Sequence, residues 1–183
     1  MKHIRKAPLL NLIRRFASAG QPHPARSFRI NSSLNPEAPY PTAFDEWYDA
    51  LSWIVDTDPS VHRLDSSKIS LVGDSTGTNL ADALSILDKQ RHPEDVRIQS
   101  QILLYSPLQA AKHGYASYKV FDQSCYMLTA KSIQAAWDYY ISNHENRLKS
   151  TAAPLEASIK ELKGAASTYI FTAEADVLWD EGV

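Results

Sequence analysis

The chain has 183 residues, of which 44% are hydrophobic and 22% charged, and these values are typical of one globular domain. A formal net charge of -2 gives no overall indication of a nucleic-acid partner or a membrane surface, and no apolar stretch is long enough to span a bilayer. A single cysteine, Cys125, excludes an internal disulfide and favours a reducing compartment such as the cytoplasm.

Residues 1–36 differ in charge from the rest of the chain, since they contain no Asp or Glu. Their seven basic residues are Lys2, Arg5, Lys6, Arg14, Arg15, Arg26 and Arg29. A short helix would place Leu9, Leu10, Leu12, Ile13 and Phe16 on one side. This pattern is typical of a mitochondrial presequence cleaved within Arg14–Gly20, and the alternatives are a disordered basic tail or an artefact of gene prediction. We expect residues 1–26 to be separate from a domain at residues 27–183.

The first half of that domain alternates between strand and helix patterns. A strand is predicted at Arg26–Asn31, followed by a Pro-rich turn at Asn35–Pro41. A helix is predicted from Thr42, because apolar residues then recur at helical spacing. These residues are Phe44, Trp47, Tyr48, Leu51 and Ile54. Lys68–Gly73 predicts a buried strand, and the helix after it carries an apolar face formed by Leu80, Ala83, Leu84 and Leu87.

The second half continues the alternation. A strand is predicted at Ile98–Pro107, and a helix follows at about Thr129–Asn143. The last strand and its exit loop are predicted at Ser167–Asp176. Residues 108–127 show no clear period. Such an order predicts a parallel sheet with helices on its faces, in which ligands bind at the carboxyl ends of the strands.

One serine lies between two glycines where a predicted strand changes to a predicted helix, in the sequence Gly73-Asp74-Ser75-Thr76-Gly77. A sharp turn of this kind strains the backbone of its central residue and exposes the hydroxyl. We expect the flanking glycines to be needed because a Cβ would collide with the neighbouring strand or helix. The N–H of Thr76 would then point to the position of an oxyanion. The alternative is a Gly-rich turn with a structural role only.

The sequence resembles the α/β-hydrolases of the hormone-sensitive-lipase-like esterase group over about residues 27–183. The similar segments are Asn35–Asp56, Lys68–Leu84, Gln101–Leu108 and Thr172–Gly182. The resemblance implies a partial α/β-hydrolase fold, mainly a parallel sheet with helices on both faces, lacking early strands and the last strand. It identifies Ser75 as the nucleophile, Asp176 as the triad acid and the Thr76 N–H as an oxyanion donor. Thr76 and Thr78 stand where the group usually has Ala and Gly.

Three other acids lie close to these positions, namely Asp74, Asp180 and Glu181. The resemblance selects Asp176, the first acid of the Asp-x-Leu-x-Asp-Glu pattern, and we expect Asp180 to cap the next helix. From the residues alone, Asp176 has only a slight advantage, because acids on loops are usually just solvated.

The catalytic histidine is expected after the acid in this fold, yet all six histidines precede Asp176. They are His3, His23, His62, His92, His113 and His144. His113 and His144 are alternatives that would break the usual order. The Gly-rich segment His-Gly-Gly-Gly and the strand before it also have no counterpart, so the strands at Arg26–Asn31 and Lys68–Gly73 are each expected to have an open side.

The resemblance therefore implies a carboxylic-ester hydrolase acting on a small-molecule ester, with no activity expected from these residues alone. No cofactor or metal is implied, because no His/Cys cluster has ligand spacing. The alternatives are a hydrolase-like protein that binds a small ligand without turnover, or an interaction module that uses its sheet edges. The aromatic residues between Ala110 and Leu128 either line a pocket or simply pack; they are Tyr115, Tyr118, Phe121 and Tyr126.

Overall fold

The computed structural model describes residues 27–58, 60, 65–95, 97–110, 114–123 and 125–183. The presequence expected at residues 1–26 lies outside the described residues. The chain divides into two compact units, Met1–Asn31 and Ser32–Val183. In the first unit the described residues 27–31 form no strand, so the strand predicted at Arg26–Asn31 is wrong there. A strand needs a hydrogen-bonded neighbour, and the described strands pair only with one another.

The second unit contains a parallel sheet with helices between its strands, as predicted. Its strands are β1 (Ile69–Asp74), β2 (Ile98–Leu104) and β3 (Ser167–Phe171), and among the described residues their order is β1-β2-β3. Asp74 pairs with Leu104, and Leu104 pairs with Phe171. The carboxyl ends of all three strands therefore meet at one edge of the sheet.

The three predicted helices occur in the predicted order, and the described residues form two further helices of four residues each. The helices are α1 (Thr42–Asp56), α2 (Thr76–Arg91), α3 (Ser117–Val120), α4 (Ala130–Tyr140) and α5 (Ile159–Leu162), with 3₁₀ turns at His144–Leu148, Pro154–Glu156 and Trp179–Glu181. In α1 the predicted apolar side buries Phe44 and Leu51 in the core. α4 begins at a Thr129 cap, whose side chain accepts from the Ser132 N–H, and ends three residues before the predicted limit, where Ile141 is extended.

The main hydrophobic core lies where α2, α4 and the segment after β3 meet. It includes Leu80, Leu84, Ile133, Trp137, Val177 and Leu178. At the far end of α2, Asp88 and Arg97 form a salt bridge of 2.7 Å with both side chains less than 10% exposed. Burial raises the pKa of the Asp88 carboxyl, and the Arg97 charge opposes this effect. This buried pair ties the carboxyl end of α2 to the start of β2.

The sheet is less buried than its sequence suggests. Lys68–Gly73 was predicted as a buried strand, but only Gly73 of β1 is buried, and Ser70 and Asp74 are exposed. All five residues of β3 are exposed. The reason is that β1 and β3 each have β2 as their only neighbour within the described sheet. None of the helices in the described ranges is long and apolar enough to cross a membrane.

Candidate active site

Ser75 forms the turn between β1 and α2. Its backbone has φ 50° and ψ -122°, a left-handed conformation that strains a residue with a side chain. The Ser75 N–H donates to the Leu104 carbonyl at 3.0 Å. The Ser75 carbonyl accepts from the Thr78 N–H at 2.9 Å and from the Thr78 hydroxyl at 2.5 Å. The threonine that stands where the esterase group has glycine thus helps to hold the turn.

The Ser75 side chain is half-buried, and its hydroxyl makes no hydrogen bond with another described residue. Thr76 begins α2. Its N–H is one of the first-turn donors that helix geometry leaves without an acceptor within the helix. Its side chain is exposed. The turn therefore places a hydroxyl beside the amino terminus of a helix of 16 residues, whose dipole favours negative charge there.

The two glycines of the turn differ in the space available for a side chain. A Cβ on Gly73 would overlap the Gly77 carbonyl group and lie 2.5 Å from the Thr78 nitrogen, so β1 and α2 approach each other closely there. A Cβ on Gly77 would meet only the Asp74 Oδ1, at 3.7 Å, which is ordinary contact. The expectation that both glycines avoid a collision is correct for Gly73 and wrong for Gly77.

This contrast makes a prediction. Gly73→Ala is expected to lower the free energy of unfolding of the native protein by about 1–3 kcal/mol, because backbone atoms must move apart. Gly77→Ala is expected to leave it unchanged or slightly higher, because alanine favours the helix. Urea unfolding of both variants measures the difference. Equal stability of the two variants would contradict the close approach at Gly73.

Asp74, the last residue of β1, is exposed. Burial raises the pKa of the Tyr105 hydroxyl at the end of β2, and the charge of Asp74 adds to this effect. Tyr105 also has a positive φ, 46°, and donates its N–H to the Phe171 carbonyl at 2.7 Å. The carboxyl ends of all three strands are thus hydrogen-bonded across the sheet, since Ser75 bonds to Leu104 in the same way.

Asp176 lies on the loop that follows β3. Because neighbouring strands lie about 4.8 Å apart, the ends of β1 and β3 are separated by about 10 Å, with β2 between them. The side chain of Asp176 is half-buried, and its Oδ1 accepts from the Leu178 N–H at 3.0 Å. Among the described residues the carboxylate accepts this one hydrogen bond, and a carboxylate has further acceptor positions.

The two acids after Asp176 have other partners. Asp180 Oδ2 accepts from the N–H of Ser117, the first residue of α3, at 2.8 Å. Asp180 thus contacts the start of a helix that precedes it in the chain, and a cap on the next helix stays a prediction. Glu181 is 3% exposed, and its carboxylate accepts from the Leu108 and Gln109 N–H groups and from the Tyr118 hydroxyl.

The environment of Glu181 affects its ionisation. Burial raises the pKa of this carboxyl, and the three hydrogen bonds, that from Tyr118 first, act in the opposite direction. The pKa of the Tyr118 hydroxyl is raised mainly by burial and then by the neighbouring Glu181 charge. Both groups are therefore occupied with each other, whereas the carboxylate of Asp176 keeps unused acceptor positions.

Two of the six histidines lie in the described residues, and neither forms a hydrogen bond with Ser75 there. His92 follows the carboxyl end of α2, about 24 Å along the helix from Ser75, and it contacts Tyr48 and Arg97. His144 is exposed and begins a 3₁₀ turn after α4. His113 and the other histidines lie outside the described residues.

The aromatic residues of the segment after β2 pack. Tyr118 is 4% exposed, and Tyr115 and Phe121 pack against the core. The rings of Phe121 and Tyr126 meet edge to face at 5.6 Å. Of the two interpretations of these residues, packing is the one that their contacts favour. Within the described ranges, no three His, Cys, Asp or Glu side chains are grouped to hold a metal ion.

Sequence reasoning missed Asn79 altogether and considered Glu181 only as a rival acid. Asn79 is 1% exposed and lies one turn after Ser75 on α2. Buried polar residues of this kind leave little signal in a sequence, because their partners here are backbone groups far along the chain. The one available sign was a polar residue beside the apolar face of α2.

A parallel sheet with a serine turn and an acidic loop at one edge defines the α/β-hydrolase class, and the chain belongs to that family: the model of an alpha/beta hydrolase fold matches residues 14–183. It is 32% identical over 150 residues to the vegetative-specific protein H5 of Dictyostelium discoideum, covering 81% of this chain and 44% of that protein. It is 31% identical over 166 residues to an ethyl acetate hydrolase of Pseudomonas putida, covering 90% and 49%.

Among solved structures, a thermostable esterase of Pseudomonas putida superposes with a TM-score of 0.76 at 32% identity, over 83% of this chain and 46% of that one. The chain is thus related to carboxylesterases, and the partial α/β-hydrolase fold is confirmed. It spans about half the length of the relatives that it matches.

Proposed function

We propose that this chain supplies the nucleophile and the acid of a serine carboxylic-ester hydrolase. The observation that carries the proposal is the backbone of Ser75, which has a positive φ between a strand and a helix and a hydroxyl without a described hydrogen-bond partner. Strain of this kind persists where the surrounding structure requires it and is frequent at functional sites.

In the proposed reaction the Ser75 Oγ attacks the carbonyl carbon of an ester, and its proton passes to an imidazole. The imidazole returns the proton to the leaving alcohol, which leaves Ser75 acylated. Water then releases the acid by the same two steps. The Thr76 N–H, at the amino terminus of α2, donates to the oxyanion that forms in each step.

Asp176 would hold the imidazole in its productive orientation and stabilise its charged form. Two observations support Asp176 over its neighbours: Asp180 is bonded to the start of α3, and Glu181 is buried with three donors. Neither described histidine forms a hydrogen bond with Ser75. Because the base follows the acid in this fold and all six histidines precede Asp176, we propose that sequence outside these 183 residues supplies the base, which agrees with a match to about half the length of the relatives.

The substrate class is proposed from the relatives. One is named as an ethyl acetate hydrolase and another as a carboxylesterase, so a small carboxylic ester is the first substrate to test. The alternative is a protein that binds such a ligand without turnover. One observation favours it, since neither described histidine forms a hydrogen bond with Ser75.

A burst experiment on the native protein separates these two functions. With p-nitrophenyl acetate, we expect a rapid release of p-nitrophenolate equal to the protein concentration, followed by slower turnover, because the acyl-enzyme accumulates. Protection of the protein against unfolding by the ester, without any release of p-nitrophenolate, would instead favour ligand binding and would contradict the hydrolase.

A further inference from the structure

The loop that leaves β2, here called the β2 exit loop and formed by Tyr105–Ala110, lies between the two reacting groups. Because β2 is the middle strand, its carboxyl end lies between the end of β1, where Ser75 follows, and the end of β3, where the Asp176 loop begins. Any change in the position of this loop therefore changes the space between the nucleophile and the acid.

On the nucleophile side, Asn79 holds this loop. Its Nδ2 donates to the Pro107 carbonyl at 3.2 Å and to the Ala152 carbonyl at 3.0 Å. The side chain is 1% exposed, so water cannot replace the loss of these bonds. Asn79 lies one helical turn after Ser75 on α2, and the bond to Pro107 thus connects the serine turn to the β2 exit loop.

On the acid side, Glu181 holds the same loop at the next two residues. Its Oε2 accepts from the Leu108 N–H at 2.6 Å and from the Gln109 N–H at 2.9 Å, and its Oε1 accepts from the Tyr118 hydroxyl at 2.5 Å. Glu181 thus holds two adjacent residues of the loop through one carboxyl oxygen.

The two ends of the Asp176 loop pack against each other, and the loop is hydrogen-bonded to the first residue of α3. A Cβ on Gly182 would lie 2.6 Å from the Thr172 Cγ2, so the end of the loop packs directly on its beginning. The Ser117 hydroxyl donates to the Val177 carbonyl at 2.7 Å, and the Ser117 N–H donates to Asp180. Because of these contacts, Glu181 has little freedom to move without the rest of the loop, which carries Asp176 five residues earlier.

We propose that Asn79 and Glu181 are positioning residues that together fix the separation of Ser75 and Asp176 through the β2 exit loop. The inference deepens the proposed function and rests on it. Neither residue touches the reacting atoms. Each acts on adjacent residues of one loop, Asn79 on Pro107 and Glu181 on Leu108 and Gln109, and each is within five residues of the group that it positions. Loss of either attachment releases the loop on one side only.

The test uses the native protein with Glu181→Gln, which keeps the size of the side chain and removes its charge. We expect kcat for p-nitrophenyl acetate to fall by about 10- to 100-fold with KM within about threefold, because small displacements of a catalytic group have effects of that size. We also expect the acidic limb of the kcat/KM profile to move to lower pH. Displacement of the Asp176 carboxylate from the imidazole lowers the pKa of the imidazole. Loss of stability alone would not produce this shift.

The matched control is Asp82→Asn. Asp82 is another largely buried carboxylate, on α2, and it accepts from the Gln101 side chain at 2.6 Å, away from the β2 exit loop. This variant is expected to change the unfolding temperature without moving the pH profile. If Glu181→Gln fails to fold, Tyr118→Phe removes one of the three donors and is expected to cause a smaller shift in the same direction.

An unchanged kcat and pH profile in folded Glu181→Gln would overturn the inference, as would an equal change in Asp82→Asn. Asn79→Ala, which releases the loop on the other side, is expected to lower kcat by a similar factor, and an unchanged kcat in that variant would also overturn it. The proposed function fails separately: it fails if the native protein releases no p-nitrophenolate or if Ser75→Ala retains hydrolysis.

Discussion

Replacing Ser75 by alanine in the native protein is expected to lower kcat for ester hydrolysis by about four to six orders of magnitude. Alanine removes the only atom that attacks the ester while keeping the Cβ and the backbone of the turn. The bonds from the Ser75 N–H to Leu104 and from Thr78 to the Ser75 carbonyl do not involve the hydroxyl. KM is therefore expected to change little, and the loss is measured in kcat with p-nitrophenyl acetate.

The control for this variant is Ser70→Ala. Ser70 lies on β1, the strand that leads to Ser75, is exposed, and bonds through its hydroxyl to Ser100 at 2.8 Å. Loss of this hydroxyl is expected to leave kcat within about twofold, as for most surface substitutions. Hydrolysis by Ser75→Ala at the native rate would show that another group is the nucleophile and would end the proposed assignment.

Replacing Asp176 by asparagine is expected to lower kcat by about 10⁴-fold. The amide has the same shape and retains an oxygen for the Leu178 N–H, which Asp176 Oδ1 accepts at 3.0 Å. It carries no charge to stabilise an imidazolium, and it favours the wrong tautomer of the imidazole. Steady-state kinetics at several pH values measure the effect.

Glu174→Gln is the matched control for Asp176→Asn, because Glu174 lies on the same loop with an exposed side chain and is expected to have no effect on kcat. Asp180→Asn is expected to weaken the start of α3 and to affect stability more than kcat. A larger fall in kcat for Asp180→Asn than for Asp176→Asn would reverse the assignment of the acid.

Much of the fold could be predicted from local patterns. The helix at Thr42–Asp56 and the strands at Ile69–Asp74 and Ile98–Leu104 have periodicities that their own residues determine. The strand predicted at Arg26–Asn31 failed, and β3 is exposed along its whole length, because pairing and burial of a strand depend on its neighbours. Helices of four residues such as α3 are too short to give a periodic signal.

The candidate site was likewise predictable only where local sequence determines it. Ser75 and Asp176 could be placed at one edge because each follows the end of a strand, and parallel strands bring those ends together. The contacts of Asp180 and Glu181 could not be predicted, since their partners lie more than 60 residues away in the sequence. Gly77 shows a further limit, because the need for a glycine depends on which atoms surround it.

The most direct test of the central claim is to map the residue that a fluorophosphonate modifies in the native protein. The account predicts a single adduct on the tryptic peptide Ile69–Lys89, assigned by fragmentation to Ser75 and lost in Ser75→Ala. An adduct on another residue, or the absence of any adduct from a protein that hydrolyses esters, would contradict it.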